Sequence, residues 1–155
     1  MNISPQKSTK SPCIGVCSTG IGDSVCRGCK RYCHEIIHWN AYSDGEKRAI
    51  LERVDVLLSQ VVKAKLTIVD EALLTQQMSL HKIRHDASAQ PYSWVFELLK
   101  VGANQIEDLN EFGCSVLPEF ESLSMSNLRD SIDEDFYVLS SVHYQRYFEV
   151  NTPQT

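Results

Sequence analysis

Five of the six cysteines lie between positions 13 and 33, and four of them follow the spacing Cys13-x3-Cys17-x8-Cys26-x2-Cys29. Cysteine sulfur binds a metal as the thiolate, a buried anion that needs compensation from a cation and from hydrogen-bond donors. The second pair, CRGC, is the sequence of a knuckle, a tight turn that presents two sulfurs to one ion while backbone N–H groups point at them. Four sulfurs at ~2.3 Å around zinc form a closed tetrahedral site that contributes directly to folding. An iron–sulfur cluster takes the same four ligands. Neither common ferredoxin spacing matches this one, and the compact knuckle favours zinc on geometry. A closed set of four leaves no coordination position for a substrate, which points to a non-catalytic metal-binding protein acting in protein interaction or regulation. Electron transfer or redox sensing by an iron–sulfur centre is the alternative. Cys33, four residues after Cys29, either joins the site or packs as a small hydrophobe beside Tyr32, Ile36 and Ile37; packing is the favoured reading. Cys114 is isolated in sequence and reads as a core residue.

A second motif competes. His34-Glu35-Ile36-Ile37-His38 spells H-E-x-x-H, which on a helix sets two imidazoles on one face beside a carboxylate, the arrangement of zinc hydrolases. A third ligand would be required, and Glu52 or Asp55 carry no accompanying motif. The simpler reading is a surface Glu35, paired with Arg31 four residues earlier, between two incidental histidines. His81 and His85 read as solvated side chains on one helix. Trp39 reads as a cap on the small metal core, and Arg27, Lys30 and Arg31 as a solvated rim around the knuckle.

The elements around the cysteines follow from periodicity. A short helix is expected to begin near Cys29, with Tyr32, Cys33, Ile36, Ile37 and Asn40 on one face. Ser43-Asp44-Gly45-Glu46 is a capping-box signature. The helix it opens should run over about 44–64 with a core stripe of Ile50, Val54, Leu57, Leu58 and Val61. Further helices are expected over 66–86, 92–101 and 105–112, the last stopped by Gly113. Residues 135–150 are rich in β-branched and aromatic residues and fit either a strand or a buried helix.

PCIGVC, then CRGCKR, Glu35-Ile36, Trp39 and the Ser43–Ala49 helix start together resemble the bacterial domain of unknown function 1289. The resemblance covers about residues 11–54. It joins the four cysteines to Pro12, Gly15, Gly28, Arg31, Glu35 and Trp39, and implies Cys13, Cys17, Cys26 and Cys29 as the metal ligands. Members of that family are described as predicted iron–sulfur proteins without an assigned activity, which strengthens the iron–sulfur alternative. The family pattern does not call for Cys33, His34 or His38.

Composition bounds the rest. The chain has 155 residues, 43% hydrophobic and 23% charged, which suits a packed fold. No apolar run approaches the ~20 residues that span a bilayer, and the start MNISPQKSTKSP has no secretory apolar core. A cytoplasmic protein with no membrane partner is expected. Residues 1–64 hold 9 Lys/Arg and 6 Asp/Glu, against 6 and 14 in residues 65–155. An acidic second half argues against nucleic acid as a partner, and four thiolates with one divalent ion would bring the first half down to about +1. The fold class expected is mainly α: a disordered arm over 1–11, a four-cysteine module with two helices over 12–64, an acidic helical domain over 65–150 with α+β as the alternative, and a tail over 151–155.

Overall fold

The computed structural model describes residues 10–15 and 17–149; residues 1–9 of the arm expected over 1–11 and the tail expected over 151–155 lie outside the described residues. The fold is mainly α, with a small two-stranded sheet. The described residues form two compact units. One holds the chain up to Val54 and again from Tyr137 onward, and the other holds Asp55–Phe136. This division differs from the boundary at 64/65 expected from sequence. The last segment of the chain returns to the cysteine-rich unit, and no local pattern announces such a return.

In the first unit a 3-10 turn spans Ser18–Ile21, and a single antiparallel bridge joins Val25 to Tyr32. Helix α1 is Cys33–Ile37. It starts four residues later than expected, because Cys29 to Tyr32 is spent closing the knuckle turn. Glu35 Oε1 accepts from the Tyr32 N–H at 2.8 Å and so satisfies a free donor at the helix start. The buried face is also not the apolar one expected. Arg31, Tyr32, Glu35 and Trp39 are inside, whereas Ile37 is 70% exposed. Helix α2, Asp44–Lys63, opens on the expected capping box: Glu46 N–H donates to Ser43 Oγ and Ser43 N–H to Glu46 Oε1, each at 3.2 Å.

The second unit begins within α2, where Leu57, Leu58, Val61 and Val62 are buried. The expected helix over 66–86 is divided. Strand β1 is Leu66–Ile68, and helix α3 is Glu71–Leu80, begun by Asp70, whose carboxylate accepts from Leu73 N–H at 3.0 Å. β1 pairs antiparallel with β2, Cys114–Val116, in the register Leu66↔Val116, Thr67↔Ser115, Ile68↔Cys114. The carbonyl of Gly113 accepts from Val69 and Asp70 N–H at 2.7 and 3.0 Å. Gly113 itself sits at φ +74, and a Cβ there would lie 2.3 Å from the Asp70 carbonyl oxygen. Helix α4, Pro91–Gly102, uses Pro91 in its first turn, where the missing N–H costs nothing. The helix expected over 105–112 shortens to a 3-10 turn, Leu109–Phe112, ended by Gly113 in the left-handed conformation. Residues 135–150 resolve as helix in their described part: α5 runs Met125–Tyr144 and continues as a π-helical turn, Gln145–Glu149. Leu128, Ile132 and Phe136 give it a buried stripe at i, i+4 and i+8. No helix among the described residues is long and apolar enough to cross a membrane.

Candidate metal centre

The knuckle is a closed turn. Cys26 O accepts from Lys30 N–H at 2.8 Å, and Cys26 N–H donates to Arg31 O at 2.9 Å. Lys30 takes φ +63, which lets the chain reverse within these few residues. Cys26 and Cys29 are buried, and the Cys29 thiol donates to the Cys26 sulfur, so the two sulfurs converge. Burial alone would raise the Cys26 thiol. The backbone amides of Cys29, Ser18 and Gly28 outweigh it and bring the pKa down to about 7. Burial dominates at Cys29 and raises its pKa, although the Arg31 guanidinium and amide act against it. Arg31 Nε lies 3.3 Å from Cys29 Sγ.

A common rule runs through the four cysteines. Each sulfur meets a hydrogen-bonding group of the residue two positions on. Gly15 N–H donates to Cys13 Sγ at 3.4 Å, and Thr19 Oγ1 lies 2.9 Å from Cys17 Sγ. The amide of Gly28 donates to Cys26, and that of Arg31 to Cys29. Cys114 does the reverse: its thiol donates to the Phe112 carbonyl two positions back, at 3.6 Å, and burial pushes its pKa up to about 12. It is a core thiol, as expected. Cys33 is half-buried at the first turn of α1 and its amide donates to Ser24 O at 2.8 Å. Cys13 and Cys17 are exposed, and the described residues contain no group of three or more His, Cys, Asp or Glu side chains close enough to hold an ion. The donor chemistry nonetheless fits a thiolate-bound metal, since N–H groups aimed at sulfur stabilise the anionic form a metal requires.

The expected solvated rim is corrected by burial. Lys30 and Arg31 are each 2% exposed. Lys30 Nζ donates to the Arg27 carbonyl. The Arg31 guanidinium lies over the Trp39 ring at 4.7 Å and donates to Ser11 Oγ at 3.0 Å. Only Arg27 keeps an exposed side chain, 3.8 Å from Asp23 and over the Tyr137 ring at 4.0 Å. Sequence reasoning also missed Ser18, whose hydroxyl accepts from Arg27 N–H at 2.8 Å while its amide serves Cys26.

Glu35 is neither on the surface nor paired with Arg31. It is buried and held by Arg53 through two parallel hydrogen bonds of 2.6 and 2.7 Å. Burial disfavours the charged guanidinium, but the Glu35 carboxylate overrides it and holds the Arg53 pKa above its ordinary value. Arg53 also covers the Tyr32 ring at 3.9 Å, and Tyr32 packs edge-on against Tyr144 at 5.1 Å and Phe148 at 5.5 Å. A carboxylate committed to a guanidinium in this way has no free oxygen to activate water. His38 is exposed beyond the end of α1, and His34 lies among the Tyr32 and Phe148 rings. His81 and His85 do not share a helix, since α3 ends at Leu80; His81 lies against Phe112, and His85 against Trp94 with Nδ1 2.9 Å from Ile83 O.

Residues 11–57 match the profile of a family described as a protein of unknown function, DUF1289. The uncharacterized protein YdhL of Escherichia coli K12 is 45% identical over 42 residues, which cover 27% of this chain and 52% of that relative. YdhL of Shigella flexneri matches to the same extent. The chain therefore spans about half the length of the curated relatives it matches. No solved structure matches it. The matched segment contains Cys13, Cys17, Cys26 and Cys29, and also Cys33, together with Arg31, Glu35, Trp39 and Arg53.

Proposed function

We propose that the segment shared with that family is a metal module in which Cys13, Cys17, Cys26 and Cys29 hold one zinc ion, and that its role is non-catalytic, in protein interaction or regulation. The observation that supports this reading is the i, i+2 hydrogen-bonding pattern at these four sulfurs, which Cys114 does not share. A zinc ion bound there supplies charge compensation and cross-links the turn to the segment before it. Arg31 and the backbone amides offset the remaining negative charge. Exposed Ile14, Ile21 and Ile37, at 63%, 87% and 70%, leave apolar surface on this unit for a protein partner. Glu35, bound by Arg53, argues against the hydrolase reading of HEIIH.

Purification without oxygen, followed by metal analysis and a visible spectrum, tests the proposal. The expected result is a colourless protein with one zinc per chain, and a Cys13→Ser variant with less bound metal. A coloured protein containing iron and sulfide would overturn the zinc assignment in favour of the redox alternative. Absence of any stoichiometric metal would overturn the centre itself.

A further inference from the structure

The second unit contains a cavity of about 570 Å³ between the end of α3 and α4, within the range of small-molecule sites. Its apolar wall includes Leu98 and Phe112, both buried, with Ile106 beside Gly102. The charge at its rim is unusual for this unit. Residues 55–136 carry 6 Lys/Arg against 14 Asp/Glu. Lys65 pairs with Asp135 at 2.7 Å, Lys100 with Glu97 at 2.9 Å and Arg129 with Asp130 at 3.0 Å, while Lys63 faces the Tyr92 ring. The other two, Lys82 and Arg84, both line the cavity, and among the described residues neither side chain has an ion pair or hydrogen bond. In an acidic surface such cations are ordinarily neutralised by neighbours.

The backbone adds a second, independent observation. Lys82 has φ +53, at the position just after α3 where a left-handed residue ends the helix, with Ile83 N–H donating to Met78 O at 2.9 Å. Glycine is the ordinary occupant of that position, and a side chain there adds strain. Strain retained at a cavity wall points to a use for the side chain. We infer that this cavity binds a small organic carboxylate with an apolar body, its carboxylate held by Lys82 and Arg84 and its body against Leu98, Ile106 and Phe112. Glu111 at the same rim would repel a dianion and favours a single negative charge.

Decanoate is a suitable probe, with 1-decanol as the uncharged control, titrated into the full-length protein while the Ile83 and Ile106 methyl resonances are followed. Decanoate should shift both methyls and bind at least about tenfold more tightly than decanol. Lys82→Gly separates binding from folding. It should raise the melting temperature by about 2–4 °C by relieving the left-handed strain, yet weaken decanoate about tenfold. Arg84→Gln should weaken it to a similar degree. Unshifted Ile83 and Ile106 methyls at millimolar decanoate, equal binding of decanol, or unchanged affinity in both variants would overturn the inference.

Discussion

Lys30, Arg31 and Glu35 are buried in the first unit, whereas the large fully buried side chains of the second are Val62, Leu66, Leu74, Met78, Val95, Leu98, Leu99, Leu109, Leu128 and Ile132. Each of those apolar side chains contributes about 1.5–3 kcal/mol on leaving water, and among the described residues of that unit Lys65, paired with Asp135, is the one buried charge. The first unit has few comparable residues: Val25, Tyr32, Trp39 and Ile50. Its interior holds a set of charges, each with a specific neighbour, although the buried Arg53 Nε has no hydrogen-bond partner among the described residues. Arg31 serves Cys29 and lies over Trp39, Glu35 binds Arg53, and Lys30 binds the Arg27 carbonyl. Buried charge is tolerated only while its partners stay in place. The comparison teaches that the first unit depends on specific partners and the second on area.

Removal of the proposed ion should expose this contrast most strongly. Structural zinc contributes on the order of 10 kcal/mol or more to small modules. Chelation of the full-length protein should therefore abolish hydrogen-exchange protection at the amides of Cys26 and Cys33 while those of α4 stay protected. Retained protection at Cys26 and Cys33 would mean that the first unit stands without an ion. Arg53→Met is expected to cost about 3 kcal/mol in urea denaturation, because it leaves the Glu35 carboxylate buried without its partner. Adding Glu35→Leu should recover most of that loss, and no recovery would argue against a paired-charge interior. In the second unit, Gly113→Ala should cost about 2 kcal/mol or more, since it combines left-handed strain with a clash on the Asp70 carbonyl. A thermal melt within error of the natural chain would refute the close approach of Gly113 to the Asp70 carbonyl. The smallest effect belongs to the capping box. Ser43→Ala should remove about 1 kcal/mol, and a loss as large as that of Arg53→Met would show that α2 is held from its first turn.

Features that depend on neighbours in sequence are legible in the sequence itself. The Ser43/Glu46 box, the Pro91 helix start and the Gly113 stop each act within a turn or two. The i, i+2 rule at sulfur was partly visible as Cys13-x-Gly15 and Cys26-x-Gly28, although it was read at the knuckle alone. Leu66–Ile68 reads as the start of a helix because LTIV fits both periods over so short a run, and its partner Cys114–Val116 lies far along the chain. Asp70, three residues before Leu73, carried the true start signal of α3. For α5, Leu128, Ile132 and Phe136 settle the choice that FYVLSSVHY leaves open, and they lie mostly upstream of residues 135–150. The Glu35–Arg53 pair joins residues 18 positions apart, and no pattern in either neighbourhood names the other. Charged residues beside a cysteine knuckle were placed in solvent on general expectation, and the aromatic surfaces that bury Arg31 and Arg53 could only be seen folded.

The Glu35–Arg53 pair also carries a lesson for reading genomes. A search for H-E-x-x-H returns this chain as a metallopeptidase, and nothing inside the five-residue window contradicts it. The residue that contradicts it stands a helix away. Where a sequence aligned to this module keeps an arginine at the position of Arg53, the glutamate should be scored as a bracket between two helices. Where the arginine is replaced by a neutral residue and the glutamate persists, the same five letters describe a carboxylate that has lost its restraint, and only those sequences merit an assay for hydrolysis.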